Sequence, residues 1–330
     1  ANWQRGFWSL FVTQFQGAFS DNLFKFLVVF LITGTLAEAE RDNYITITLL
    51  VFSLPFILFS MAAGFLADRY PKRSVVIGTK GLEIAVMLLG TVGLWLQSLP
   101  FLIGVIFLMS VQSAFFSPSK YGLLPEMLPE EKLSWGNGIL GLGTFVAIIS
   151  GSATAGVLSD KLGPDRWYAG FLLIVLAGVG FATSHGILRL PPADPHKKFQ
   201  LNFLDDLAKN FGKIRKDRVL TLAILGSTYF WFLGALFGEP TILLYGKDVL
   251  DLTDTQISLL RACLAIGIGL GSAAAGILSG KKIEYGLVPL GALGLAAMAG
   301  LLAIPDLTYQ SVQIMLGILG FSGGFFIVPL

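Results

Sequence analysis

GFLADRYPKR, residues 64–73, sets four charges within six residues between two long apolar runs. Residues 44–66 carry no charge, and residues 75–97 carry only Lys80 and Glu83. The hydrocarbon core of a bilayer is about 30 Å thick and a helix rises about 1.5 Å per residue. Each run is therefore long enough to cross it, and the decapeptide reads as a turn at the membrane surface. Its cations place that surface on the inner side. Gly64 permits a close helix approach, Asp68 can accept hydrogen bonds at a neighbouring helix N-terminus, and Arg69 and Arg73 can pair with acids or lipid phosphates.

Working outward, ten segments qualify as spans: 7–35, 44–66, 75–97, 100–120, 137–159, 167–188, 219–246, 255–279, 286–304 and 308–330. Composition agrees. Of 330 residues, 54% are hydrophobic and 13% charged, against roughly 25% charged in a soluble domain. The net charge of +2 is too small for a nucleic-acid partner. A lone cysteine, Cys263, forms no internal disulfide and reads as packing. The first segment, GFWSLFVTQFQGAFSDNLFKFLVVFLITG, runs on without a small-residue cleavage pattern, so it is a span and not a signal peptide. The last ends without a polar anchor, and the expectation is that the sequence is cut short.

With the N-terminus cytoplasmic, Arg5, Arg69, Lys72, Arg73, Lys132, Lys281 and Lys282 fall inside, with the basic 189–218 connection. Arg41, Lys161, Arg166 and Lys247 fall outside among acids. The organisation expected is a bundle over 1–188, a linker over 189–218 and a second, incomplete bundle over 219–330. The linker opens with proline-stiffened RLPPADPHKK. It continues with Leu204, Leu207, Phe211 and Ile214 on one helical face and Lys209, Lys213 and Lys216 opposite, the pattern of a helix lying in the inner interface against membrane lipids. SMAAGFLADRYPKRS (60–74) and GSAAAGILSGKKIEYG (271–286) close the second and eighth spans alike, six helices apart. That is the mark of a parallel repeat of two six-helix halves.

GFLADRYPKR resembles the loop signature of the major facilitator superfamily, with Pro71 where the family has its second glycine. The resemblance implies an all-α polytopic membrane protein of two pseudo-symmetric six-helix bundles alternating around a midplane cavity, with Gly64, Asp68, Arg69 and Arg73 as a conformational gate. FSDNLFKF (19–26), FFSPSKYGLLPE (115–126) and NGILGLGTFVAIISGSATAGVLSD (137–160) are similar to the bacterial lysophospholipid transporter family. That resemblance implies movement of lysophosphatidylethanolamine-type lipid from the outer to the inner leaflet of the bacterial inner membrane. It also implies reacylation by an acyltransferase, either a cytoplasmic one working with acyl carrier protein or one fused to the transporter.

Ionisable groups inside a membrane cost about 2.5–3.5 kcal/mol each on insertion scales and usually face a cavity or a partner. Those present are Asp21 and Lys25 in the first span, Lys80 and Glu83 in the third, Lys120 at the end of the fourth, Glu239 in the seventh and Arg261 in the eighth. A zwitterionic headgroup wants a cation and a carboxylate held apart. Asp21, its neighbour Asn22, Lys25, Lys120 and Glu239 are the substrate-binding candidates, with Lys80, Glu83 and Arg261 as secondary ones. Asp21 and Lys25, four apart, can equally satisfy each other along one helix face, as can Lys80 and Glu83, with Lys80 near enough to the inner surface to snorkel. Glu239 precedes Pro240, which breaks the helix there. Arg261 can serve as an outer-surface anchor. GIGLG (267–271) and GFSGGFF (320–326) have no strand before them and read as close helix packing.

Enzymatic chemistry finds no support in this pattern. His185 and His196 lack the downstream aspartate that a membrane acyltransferase needs, and no catalytic constellation, metal ligand set or cofactor motif accompanies them. The alternative function is a proton-coupled carrier of a soluble solute or drug, with Asp21 or Glu239 as the proton carrier.

Overall fold

The computed structural model describes residues 2–197, 216–234, 239–279 and 284–329. It divides into two compact units, Ala1–Gln200 and Leu201–Leu330. Every described element is helical or a turn.

The first unit holds α1 (Asn2–Thr35), α2 (Glu38–Arg69), α3 (Lys72–Leu96), α4 (Leu99–Met127), α5 (Leu133–Leu162) and α6 (Tyr168–Ser184). Helix α1 is its axis, packed against α4, α5 and α6. Polar groups in hydrocarbon are turned inward. Accordingly α1, which carries Gln14, Gln16, Asp21 and Lys25, has 78% of its apolar window buried, against 11% for the more apolar α2, whose Leu50, Ile57 and Leu58 face outward. Lipid tails are as apolar as leucine, so helices in a bilayer gain little from burying leucine and rely on close contact instead. Gly143 of α5 accordingly seats the ring of Phe11, and Gly151 lies against the backbone carbonyl of Phe19. Gly90 of α3 makes room for Phe24.

The second unit holds α7 (Arg218–Leu233), α8 (Glu239–Leu244), a π-helical turn over Tyr245–Val249, α9 (Asp254–Ser279), α10 (Leu287–Leu302) and α11 (Tyr309–Ile327). Asp217 caps α7 by accepting from Val219 N and Leu220 N at 3.0 and 3.1 Å. Helices α9 and α11 cross backbone to backbone. Gly267 faces the Gly317 carbonyl, Gly271 the Phe321 carbonyl and Gly320 the Leu264 carbonyl. The glycine-rich stretches are thus packing surfaces, apart from Gly269, which faces open space.

All ten sequence segments contain a helix. Among the described residues seven helices are long and apolar enough to cross a membrane, and α6, α7 and α10 are shorter apolar ones. The protein is a multi-pass membrane protein. Two boundaries differ from expectation. The fourth span continues past residue 120 to Met127 through Pro118 and Pro125. It does so because Leu123, Leu124 and Met127 pack into one apolar cluster with Phe7, Leu10, Val76 and Ile187. The second span begins earlier, at Glu38 instead of residue 44; in the seventh, α7 and α8 are described on either side of residues 235–238, which lie outside the described residues. The expected interfacial helix of the linker, with Leu204, Leu207, Phe211, Ile214, Lys209 and Lys213, also lies outside them, as do Lys281 and Lys282.

A side chain at Gly271 must push α9 from α11. Gly271→Leu is expected to cost about 1–3 kcal/mol and to lower the melting temperature of the detergent-solubilised protein. Gly269→Leu should leave it unchanged, as a tryptophan-fluorescence melt will read.

Candidate functional site

Three helices of the first unit bring a polar cluster to the centre of an apolar bundle. Helix α1 contributes Gln16, Ser20, Asp21 and Lys25, α3 contributes Lys80 and Glu83, and α4 contributes Gln112 and Ser113. Lys80 and Glu83, one turn apart on α3, form an ion pair at 2.6 Å with each side chain 1% exposed. Gln16 serves both members: its Nε2 donates to Glu83 Oε1 at 2.7 Å, and its Oε1 accepts from Lys80 Nζ at 3.1 Å. Gln112 Nε2 donates to Glu83 Oε2 at 3.4 Å, and the Lys80 ammonium lies 5.3 Å from the centre of the Phe116 ring. Two glycines make the space. A Cβ on Gly17 would stand 2.6 Å from Lys80 Nζ, and one on Gly180 of α6 would collide with Gln16 Oε1.

Asp21 sits at the edge of this cluster and is buried. Ser113 Oγ donates to its Oδ2 at 2.6 Å and also lies 3.2 Å from Gln112 Oε1. The other oxygen, Oδ1, is buried without a hydrogen-bond partner. Asn22 spends its amide on the carbonyl of Ala18, 2.8 Å away. Lys25 is buried, with its ammonium 4.5 Å from the Phe26 ring centre and 4.6 Å from that of Phe52.

Lys120 lies two helical turns beyond Ser113, on the same face of α4 and about 10 Å along its axis. It is partly exposed and rests 4.3 Å from the ring centre of Tyr121. Among the described residues it makes no hydrogen bond or ion pair. The residues that follow it have a separate purpose. The buried Lys72 reaches across to Glu126 at 2.5 Å, and its stem passes over Gly122, where a Cβ would stand 2.5 Å from Lys72 Cε. The glycine and the carboxylate of FFSPSKYGLLPE thus serve Lys72.

Several expectations need correcting. Gly64 is no helix-contact glycine within its unit, since a Cβ there meets nothing within 4 Å. Asp68 binds no helix N-terminus. Its carboxylate pairs with Lys197 at 2.6 Å and its carbonyl accepts from Asp194 N at 2.9 Å. Arg69 and Arg73 reach carbonyls instead of acids, Lys197 O at 3.4 Å and His185 O at 2.7 Å. The start of the linker is thereby strapped across the α2–α3 turn, with Ile187 sunk in the apolar cluster below. Lys80 does not snorkel, because Glu83 holds it inside. Arg261 is 9% exposed and so is no surface anchor. Glu239 opens α8, but its side chain lies outside the described residues.

Gln16, Gln112 and Ser113 carry no charge and so did not stand out among the candidates. The signal was available: a glutamine in hydrocarbon must be hydrogen-bonded much as an ion must be paired.

The model of the Major Facilitator Superfamily matches residues 10–330. Lysophospholipid transporter LplT of Photorhabdus laumondii is 30% identical over 331 residues, spanning 99% of this chain and 79% of that protein. The transporter of the same name from Enterobacter sp. strain 638 is 31% identical over 335 residues with the same coverage. Among solved structures, a POT family transporter in complex with a thioalcohol-conjugated peptide superposes with a TM-score of 0.71 at 15% identity, covering 98% of this chain and 82% of that one. A bacterial homologue of the human lysosomal transporter Spinster, inward-facing and unoccupied, gives 0.62 at 14% identity, covering 97% and 73%. At such identities the two structures speak for the fold alone.

Gly122→Leu should displace the Lys72 stem, and Lys72→Met should strand Glu126. Each is expected to cost about 1–2 kcal/mol, below the 3–5 of a fully buried pair because Glu126 reaches solvent. The double variant Lys72→Met/Glu126→Met should cost less than the two singles added, as a thermal-melt cycle will measure.

Proposed function

Because this chain belongs to the major facilitator superfamily and, within it, to the bacterial lysophospholipid transporter family, we propose that it carries lysophospholipid across the bacterial inner membrane by alternating access. The substrate is a lysophosphatidylethanolamine-type lipid moved from the outer to the inner leaflet, where an acyltransferase working with acyl carrier protein restores the second chain. The N-terminus is cytoplasmic. Arg69, Lys72, Arg73 and Lys197 gather at one end of the first unit through the Asp68–Lys197 and Lys72–Glu126 contacts, as the positive-inside rule asks.

One observation carries the assignment of roles. Helix α4 presents Ser113, which holds Asp21, and Lys120 on a single face, about 10 Å apart. Asp21 Oδ1 has no partner and Lys120 rests only on Tyr121 among the described residues. A phosphoethanolamine head supplies the complement of each: the ammonium takes the carboxylate and the phosphate takes the lysine. Lys120, partly exposed, receives the phosphate, while the acyl chain stays against apolar helix surface. Asp21, Asn22, Lys25 and Glu239 complete the substrate-binding set in this reading, and Asp68, Arg69 and Arg73 control the inner end.

Purified protein in proteoliposomes should move fluorescent lysophosphatidylethanolamine and leave a panel of sugars, peptides and cationic drugs untouched. Lys120→Glu is expected to cut that movement about a hundredfold or more, since charge reversal turns a charge-assisted contact into repulsion. Expression and melting temperature should be unchanged. Movement of a soluble solute in place of the lipid would overturn the assignment, and undiminished lipid movement in Lys120→Glu would remove that residue from the site.

A further inference from the structure

Lys80 and Glu83 fall among the intramembrane charges that a substrate could meet, yet they are closed to it. Each is 1% exposed. The ammonium of Lys80 is taken by Glu83 and Gln16 with the Phe116 ring alongside, and both oxygens of Glu83 are taken, one by Gln16 and the other by Lys80 and Gln112. Gly17 and Gly180 admit α1, α3 and α6 so closely that a single methyl would strike Lys80 or Gln16. At that exposure a headgroup has no path to this pair.

The pair does reach outward along one line. Gln112, bonded to Glu83, immediately precedes Ser113 on α4 and so anchors the turn that carries it, and Ser113 donates its one hydroxyl proton to Oδ2 of Asp21. Gln16 and Asp21 stand five residues apart on α1, so the same pair grips α1 directly through Gln16 and indirectly through α4. We propose that Lys80, Glu83, Gln16 and Gln112 are positioning residues: a sealed ion pair that sets Ser113 against Asp21, fixing one carboxylate oxygen so that the other, buried and unpaired here, is kept for the substrate ammonium when the site opens. The assignment rests on the reading of Asp21 as a headgroup contact.

Lysophosphatidylethanolamine carries an ammonium and lysophosphatidylglycerol does not, so the ratio of their kcat/KM values in proteoliposomes reports on Asp21 and is insensitive to how much protein has folded. Asp21→Asn should lower that ratio about tenfold or more, the loss of one charged hydrogen bond. Ser113→Ala and Gln112→Leu, which leave the ion pair intact but cut the line, should lower it by a comparable factor, through a raised KM for the ammonium-bearing lipid. The exchanged pair Lys80→Glu/Glu83→Lys keeps opposite charges one turn apart, and the two glutamine amides can turn to match. It should hold the ratio within about threefold of the parent, whereas Glu83→Gln alone, which strands a buried lysine, should not. A parent-like ratio in Ser113→Ala and Gln112→Leu beside a collapsed one in Asp21→Asn overturns the positioning role while leaving the headgroup role standing. A collapsed ratio in the exchanged pair, in protein that is monodisperse, also overturns it, because the charges then act by their own positions. A parent-like ratio in Asp21→Asn removes the headgroup role of Asp21 and this assignment with it.

Discussion

An ion in hydrocarbon must be given partners, and the first unit is arranged around that demand. The Lys80–Glu83 pair, sealed at 1% exposure, would be too costly without a complete set of hydrogen bonds, because desolvating two charges costs more than a bare contact returns. Gln16 and Gln112 complete the set, one from each of two helices that α3 does not itself contain. Bringing them close enough requires that α1 and α6 carry no side chain at Gly17 and Gly180. One electrostatic requirement thereby selects the residue types at six positions on four helices and fixes the depth at which α1 crosses.

The same economy of contact recurs without charge. Between lipid-bathed helices the hydrophobic effect gives little, and close backbone approach replaces it. In the first unit Gly143 and Gly151 bring α5 onto Phe11 and the Phe19 carbonyl. In the second, Gly267, Gly271 and Gly320 let α9 and α11 meet backbone to backbone. The second set came from stretches whose repeated glycines read as packing in the sequence.

Much of the architecture was legible because hydropathy over a twenty-residue window is a strong signal. The ends were not. Helix α4 runs seven residues past the apolar core of its span, through two prolines, because Leu123, Leu124 and Met127 find a tertiary cluster that no local window contains. The charged candidates were visible one by one, but spacing alone could not separate a closed pair from an open one. Asp21 and Lys25 at i, i+4 and Lys80 and Glu83 at i, i+3 looked equivalent. Only the second is a sealed ion pair, since Asp21 turns to Ser113 on another helix and Lys25 to the rings of Phe26 and Phe52. Gly64 looked like a contact glycine too, and among the described residues of its own unit it meets none. The strap was hidden because Lys197 lies 129 residues from Asp68.

A transporter cannot use a fully satisfied polar group as its binding site, since a group whose bonds are all made offers the substrate nothing and one that holds the substrate by many bonds does not release it. The buried charges of the first unit divide along that line. Lys80 gives two hydrogen bonds beside a ring face, and both oxygens of Glu83 are taken, all from within the bundle. Asp21 has one oxygen held and one not, and Lys120 leans on a ring face, a contact of about 0.5–1 kcal/mol at an exposed site that a phosphate can readily replace. Rigidity in the first set is what makes incompleteness in the second useful: a carboxylate with an open oxygen recognises an ammonium only if it cannot swing to satisfy itself. On the proposed reading, the sealed pair on α3 and the open charges on α1 and α4 are two halves of one device, in which burying the first keeps Asp21 in place and unsatisfied.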